Sequence, residues 1–291
     1  MFQGSIVALI TPMKENGRID FDAVQSLVDF HLRSGTDGIV VAGTTGESPT
    51  IDKHEFKQLL TMVVEQADAK VSVLAGTGGA NTAGTIAQTQ LAGELGADGA
   101  LVVTPYYNRP MQSGLLAHFH ALADASPIPL VLYNVPTRTA VDLLPETVAE
   151  LAQRDEIVAI KEAVADPERI RSLVALCGDS LTVLSGDDPS CLNAMRLGAK
   201  GVVSVVANVV PELFSNMCAK ALCTDWDAAE EIDNSLRQLY GMLALESNPI
   251  PVKWVLYKMG MVRNGIRLPL LPLDRQYHQA IELGLQKLGL V

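Results

Sequence analysis

Eight short apolar runs punctuate the chain. They are SIVALI from Ser5, GIVVAG from Gly38, VSVLAG from Val71, GALVVTP from Gly99, PLVLYN from Pro129, IVAIKE from Ile157, LTVLSG from Leu181 and GVVSVV from Gly201. Continuous β-branched runs without polar alternation read as strands buried on both faces, the pattern of a parallel sheet. Between most of them lie segments with apolar residues at helical spacing, such as Phe21 to Arg33, Thr82 to Leu95, Leu143 to Ala152 and Pro189 to Leu197. The junctions SGTDGIVV, LGADGALVV and LGAKGVVSV also rhyme. Each places one glycine where a helix would end and a second where the next strand would begin.

Repeated strand–helix units of this kind predict a closed (β/α)8 TIM barrel over residues 1–224. An open doubly wound sheet would normally use fewer strands and open on a glycine-rich nucleotide loop; GTGGANTAG from Gly76 does not fit GxGxxG. After about Asp225 the pattern becomes helical, in DAAEEIDNSLRQLYGMLAL, NPIPVKWVLYKMG and LPLLPLDRQYHQAIELGLQKLGL. Residues 225–291 are expected to form a C-terminal helical extension, in which LPLLPL serves as a core link or an interface patch.

Composition narrows the function. Among 291 residues 48% are hydrophobic and 19% charged, which supports a large core. The net charge of −11 disfavours duplex DNA or an anionic membrane as a partner, while leaving room for a local cationic pocket. Cys177, Cys191, Cys218 and Cys223 form no CxxC pair, so a reducing compartment is the simpler reading. The opening MFQGSIVALITP reads as a first strand and not a leader, and no apolar run is long enough for a bilayer; a cytoplasmic protein is expected.

Barrel chemistry sits at the C-terminal strand ends. Those ends carry Thr11-Pro12, GTTGES (Gly43 to Ser48), Gly76-Thr77, TPYYNRP (Thr104 to Pro110), YNVPTRT (Tyr133 to Thr139), Lys161-Glu162, SGDD (Ser185 to Asp188) and Ser204. No histidine is among them, so neither a zinc site nor a Ser-His hydrolase is expected. Lysine is rarely buried unless paired or chemically used. Lys161 therefore either reaches water or pairs with Glu162, or it is a nucleophilic amine at the mouth of a pocket. Burial favours the unprotonated amine that attacks a ketone, and an imine then acts as an electron sink without metal or organic cofactor. The turn of GTTGES can hold a carboxylate or merely start the next helix. Arg138 can fork onto a second carboxylate or face solvent. Tyr107 and Tyr133 can move protons or only pack, and Asp187 and Asp188 can cap a helix.

The stretches GTTGES, VVTPYYNRP, LYNVPTRT, AIKEA, LSGDD, GVVSVVANV and NPIPVKW together resemble the dihydrodipicolinate synthase family, within the pyruvate-dependent class I aldolases that include N-acetylneuraminate lyase. The likeness spans essentially the whole chain. It implies Lys161 as the Schiff-base lysine for pyruvate and Tyr133 as the central proton shuttle, with Thr44 and Tyr107 completing the relay. It implies Thr45 on the pyruvate carboxylate, Arg138 on the carboxylate of L-aspartate 4-semialdehyde, and the backbone of Gly186 and Val203 lining the pocket. Tyr106 matches the residue that crosses to a neighbouring subunit, in a homotetramer built as a dimer of dimers. The positions of a lysine-feedback cleft read Ser48, Lys53, Phe56, Ala80 and Gly84; a like charge at Lys53 and the missing carboxylate at Gly84 imply weak or absent inhibition. The nearest alternative is a pyruvate aldolase acting on sugar acids, against which Arg138 and the Tyr106-Tyr107 pair argue. A barrel retained only for binding would not need Lys161 and Tyr133.

Overall fold

Eight parallel strands close on themselves in chain order. They are β1 (Gly4–Ala8), β2 (Gly38–Val41), β3 (Ser72–Gly76), β4 (Gly99–Val103), β5 (Leu130–Asn134), β6 (Ile157–Glu162), β7 (Thr182–Ser185) and β8 (Gly201–Ser204), with β8 paired to β1. The computed structural model of the protein describes residues 2–291. The helices are α1 (Phe21–Arg33), α2 (Lys53–Ala67), α3 (Thr82–Glu94), α4 (Gln112–Ala125), α5 (Pro136–Thr139), α6 (Pro145–Leu151), α7 (Pro167–Cys177), α8 (Cys191–Arg196), α9 (Pro211–Leu222), α10 (Trp226–Leu243), α11 (Ile250–Lys258) and α12 (Arg275–Lys287). The fold is the expected TIM barrel followed by C-terminal helices. Among the described residues no helix is long and apolar enough to cross a membrane.

The rhyming junctions have a common structural cause. Gly35, Gly96 and Gly198 all take a positive φ where α1, α3 and α8 end, a conformation that costs glycine nothing. The second glycine of each junction opens β2, β4 or β8. At Gly201 an added Cβ would lie 2.4 Å from the backbone of Gly4, so the β8–β1 closure requires the bare backbone. The residue between them ties neighbouring strands: Asp37 accepts from the Ser5 amide at 2.8 Å, and Asp98 from the Val73 amide at 2.7 Å.

Helix starts follow local chemistry. Asp52 caps α2 in a reciprocal box with Glu55, and Asn81 accepts from the Gly84 amide at the start of α3. The pattern expected helices over Leu143 to Ala152 and Pro189 to Leu197; the observed ones are shorter. Proline at the first helical position fixes the start of α6 at Pro145. Before α8 the side chain of Asp187 holds Ser190 in a turn instead.

Inside the barrel, Phe2, Ile6, Val40, Leu74, Leu101, Val131, Tyr133, Ala159, Leu184 and Val203 form one apolar stack. Outside it, two larger clusters join the strands to the helices. The first also takes in Leu236, Leu239, Val252, Val255 and Ile281, so residues after 225 share a core with the barrel.

Candidate active site

Two lysines are buried among the described residues, Lys161 at 5% and Lys253 at 4% exposure. They are handled in opposite ways. Lys253, on α11, is ion-paired to Glu47, whose other carboxylate oxygen accepts from the Arg267 amide at 3.1 Å. Lys161 has no carboxylate within 4 Å among the described residues; its Nζ instead lies 4.3 Å from the centroid of the Tyr133 ring. A buried ammonium without a counter-ion is costly, which makes the unpaired amine of Lys161 the candidate nucleophile of this site.

The strand register explains why these two side chains meet. Tyr133 and Lys161 are direct partners across the β5–β6 ladder, so both point into the barrel mouth. Gly186, just after β7, completes the arrangement. A Cβ there would lie 2.9 Å from Cε and 3.0 Å from Cγ of Lys161, so glycine makes room for the lysine's path. That steric role accompanies the backbone role expected from the sequence.

Above these residues opens a cavity of about 260 Å³, lined by Thr44, Thr45, Tyr133, Arg138, Lys161, Gly186, Asp187, Asp188 and others. A larger groove between α1 and α2, of about 630 Å³, is lined by Phe21, His54, Lys57, Met62 and their neighbours and carries none of the strand-end residues. The smaller cavity suits a molecule of a few carbons. Asp188 accepts from the amides of Val205 and Val206, both at 3.0 Å, and burial raises its carboxyl above the ordinary range against those bonds. Asp187 is bonded to Ser190. Both carboxylates at the rim thus secure the loops around the cavity. Among the described residues no three His, Cys, Asp or Glu side chains gather as a metal site.

The C-terminal segment contributes Tyr240, Leu243, Ala244 and Asn248 to the lining. Asn248 was not singled out in the sequence, yet it touches two expected binding residues. Its side-chain amide donates to the Thr45 hydroxyl at 2.9 Å, and its backbone carbonyl accepts from Arg138 at 3.2 Å. An amide on Thr45 Oγ1 leaves that hydroxyl's own proton free to point toward a bound anion. Arg138 sits in the short helix α5, exposed toward the opening.

Several expected residues are not gathered here. Tyr107, expected to complete the relay, is 93% exposed, has φ +70 and does not line the chain's own cavity. Tyr106, expected to be the crossing residue, is 40% exposed and so is the more sheltered of the two. Asn108 anchors their loop by donating to the Ala80 carbonyl at 2.9 Å. Val203 is buried in the barrel stack beneath the cavity. Of the feedback positions, Lys53 and Gly84 are exposed near the starts of α2 and α3, and Ser48 opens a short 3-10 turn. Phe56 is 2% exposed and belongs to the core.

Comparison with known proteins gives this geometry its context. The model of the dihydrodipicolinate synthetase family matches residues 1–288. A 4-hydroxy-tetrahydrodipicolinate synthase of Coxiella burnetii is 49% identical over 290 residues, covering 100% of this chain and 99% of its own. One of Nitrosococcus oceani is 50% identical over 287 residues, covering 99% and 98%. The crystal structure of the chloride-inhibited dihydrodipicolinate synthase of Acinetobacter baumannii, complexed with pyruvate, superposes with a TM-score of 0.99 at 43% identity, covering 100% of both chains. With the likeness unbroken from the first strand to the last helix, the chain belongs to the dihydrodipicolinate synthetase family.

Proposed function

We propose that this chain is a 4-hydroxy-tetrahydrodipicolinate synthase, condensing pyruvate with L-aspartate 4-semialdehyde in lysine and diaminopimelate biosynthesis. The observation that carries the reading is the buried, unpaired Lys161 lying over Tyr133 in a cavity that also holds Thr45 and Arg138. The amine of Lys161 attacks C2 of pyruvate, and loss of water from the carbinolamine gives an iminium. Loss of a C3 proton leaves an enamine, whose carbon attacks the aldehyde; the new alkoxide takes up a proton. The substrate's own amine then displaces Lys161 by transimination and closes the ring, giving (2S,4S)-4-hydroxy-2,3,4,5-tetrahydrodipicolinate. The reading assigns no cofactor beyond this covalent imine.

Thr45, with its hydroxyl oriented by Asn248, receives the pyruvate carboxylate, and Arg138 receives that of the semialdehyde. Tyr133 and Thr44 line the cavity beside the amine and serve as proton shuttles. The exposure of Tyr107 supports its being the tyrosine that reaches a neighbouring copy, so the complete relay takes two chains.

The test is pyruvate-dependent consumption of L-aspartate 4-semialdehyde, with Lys161→Ala beside the parent. Turnover in the parent and a loss of about a thousandfold or more in the variant is expected. A folded parent that ignores the semialdehyde but cleaves a sugar acid would overturn the assignment.

A further inference from the structure

Behind the reacting pair lies a second pair that the mechanism does not use. Asn134 and Glu162 follow Tyr133 and Lys161 directly and are themselves partners in the β5–β6 ladder. Alternation turns them outward, into the layer between strands and helices, where both are buried. The Asn134 amide nitrogen donates to both carboxylate oxygens of Glu162, at 3.1 and 3.0 Å, and to Asp142 at 2.8 Å. Its oxygen accepts from the Leu143 amide at 3.0 Å. Glu162 also accepts from the Val164 amide at 2.9 Å, and Arg169 of α7 closes the set by binding Asp142 at 2.5 Å. An apolar pair would fill this layer at lower cost, since a buried carboxylate must be fully bonded to be tolerated.

The ladder shows what the pair contributes. The β5–β6 register shifts between Leu130 and Val131, so the pairing that begins at Leu130–Ile157 does not by itself align the strand ends. Beyond the shift the backbone ladder runs in one register from Val131–Ala159 to Asn134–Glu162, and the side chains of that last rung clamp it, helped by the Ala163 amide on the Asn134 carbonyl at 3.0 Å.

We propose that Glu162 is a positioning residue for the imine-forming step: through Asn134 it holds the β5 and β6 ends in the register that keeps the Lys161 amine over Tyr133. This rests on the function proposed above. Glu162 receives donors only, from Asn134 and Val164, so these bonds favour its carboxylate; a proton adds a donor among donors and weakens both oxygens as acceptors. Burial raises the Glu162 carboxyl to about 7, with the bonds from Asn134 and Val164 and the charge of Arg169 working the other way and Asp142 adding to the rise. The brace is therefore complete above that pH and loosens below it.

The test follows the rate of imine formation with pyruvate alone, by borohydride trapping at timed intervals, from pH 6 to 9 (on the order of the range where such groups titrate). In the parent, any single ionisation gives at most about a tenfold rise per pH unit, and the Glu162 ionisation makes the rise steeper below about pH 7. Glu162→Gln is expected to trap about ten- to a hundredfold more slowly, with half-saturation by pyruvate within about twofold and the steeper limb gone. A parent profile that follows a single ionisation overturns the inference without any variant. So does Glu162→Gln trapping at the parent's rate. A parent that traps no pyruvate at all defeats the underlying reading instead.

Discussion

Asn248 shows how much of a site can hang on one residue. Its side-chain amide holds Thr45 and its backbone carbonyl holds Arg138, so it links the two positions assigned to the substrates' carboxylates. Asn248→Ala removes the amide and frees the Thr45 hydroxyl to turn. One such bond is worth about 1 kcal/mol, so KM for pyruvate should rise about fivefold, while the amount of adduct trapped at saturating pyruvate stays unchanged. Steady-state kinetics with trapping at saturation checks the split; an unchanged KM would count against the role. Lys161 could be found from local sequence, because a lysine ending an apolar run is chemically incongruous. Asn248 could not: it opens the recognisable stretch NPIPVKW, but its partner Thr45 lies 203 positions away, so the contact between them is invisible in the sequence. Gly186 was half legible: its backbone role could be expected, but its making room for Lys161 appears only once β6 and β7 are side by side.

At the scale of elements, α11 is fastened under the loop that carries Thr44 and Thr45. Lys253 meets Glu47 there, and Arg267 binds Glu55 with its guanidinium and the Thr50 carbonyl at 2.6 Å. Lys253→Ala would leave the Glu47 carboxylate buried without its counter-ion. The expected cost is about 3–5 kcal/mol of stability in a denaturation experiment, with Glu47→Gln/Lys253→Met losing much less. Equal losses in both would contradict the pairing. Helices α2 and α3 carry a second prediction. With Lys53 exposed at the start of α2, a side-chain-free Gly84 in α3 and Phe56 in the core, these elements offer a lysine molecule no carboxylate at those positions. Added L-lysine should leave the condensation rate essentially unchanged; strong inhibition in a dose–response series would defeat this. Strands were easier to read than helix ends, since continuous apolar runs have one stable use in a barrel, whereas the start of α6 depended on where proline would be tolerated. The ion pair of α11 was hidden because its members sit in motifs noticed for other reasons.

For the whole molecule, the (β/α)8 order was legible because eight apolar runs recur and three of their junctions share the same punctuation, and closure follows once β8 must find β1. What a single chain leaves open is Tyr107, which is turned out to solvent. No local pattern distinguishes which of two adjacent tyrosines is sheltered; that is set by the anchoring of Asn108 on Ala80 and the positive φ at Tyr107. The net charge of −11 is spread over the chain, while Arg138 and Lys161 gather at one barrel mouth, the place where small anions are expected to be drawn. The most direct measurement is to incubate the protein with pyruvate, reduce with borohydride and map the modified peptide by mass spectrometry. A reduced pyruvate adduct on Lys161, absent from Lys161→Ala, is the expected result. An unmodified chain, or an adduct on Lys253 with Lys161 free, would mean that the unpaired buried amine is not the nucleophile.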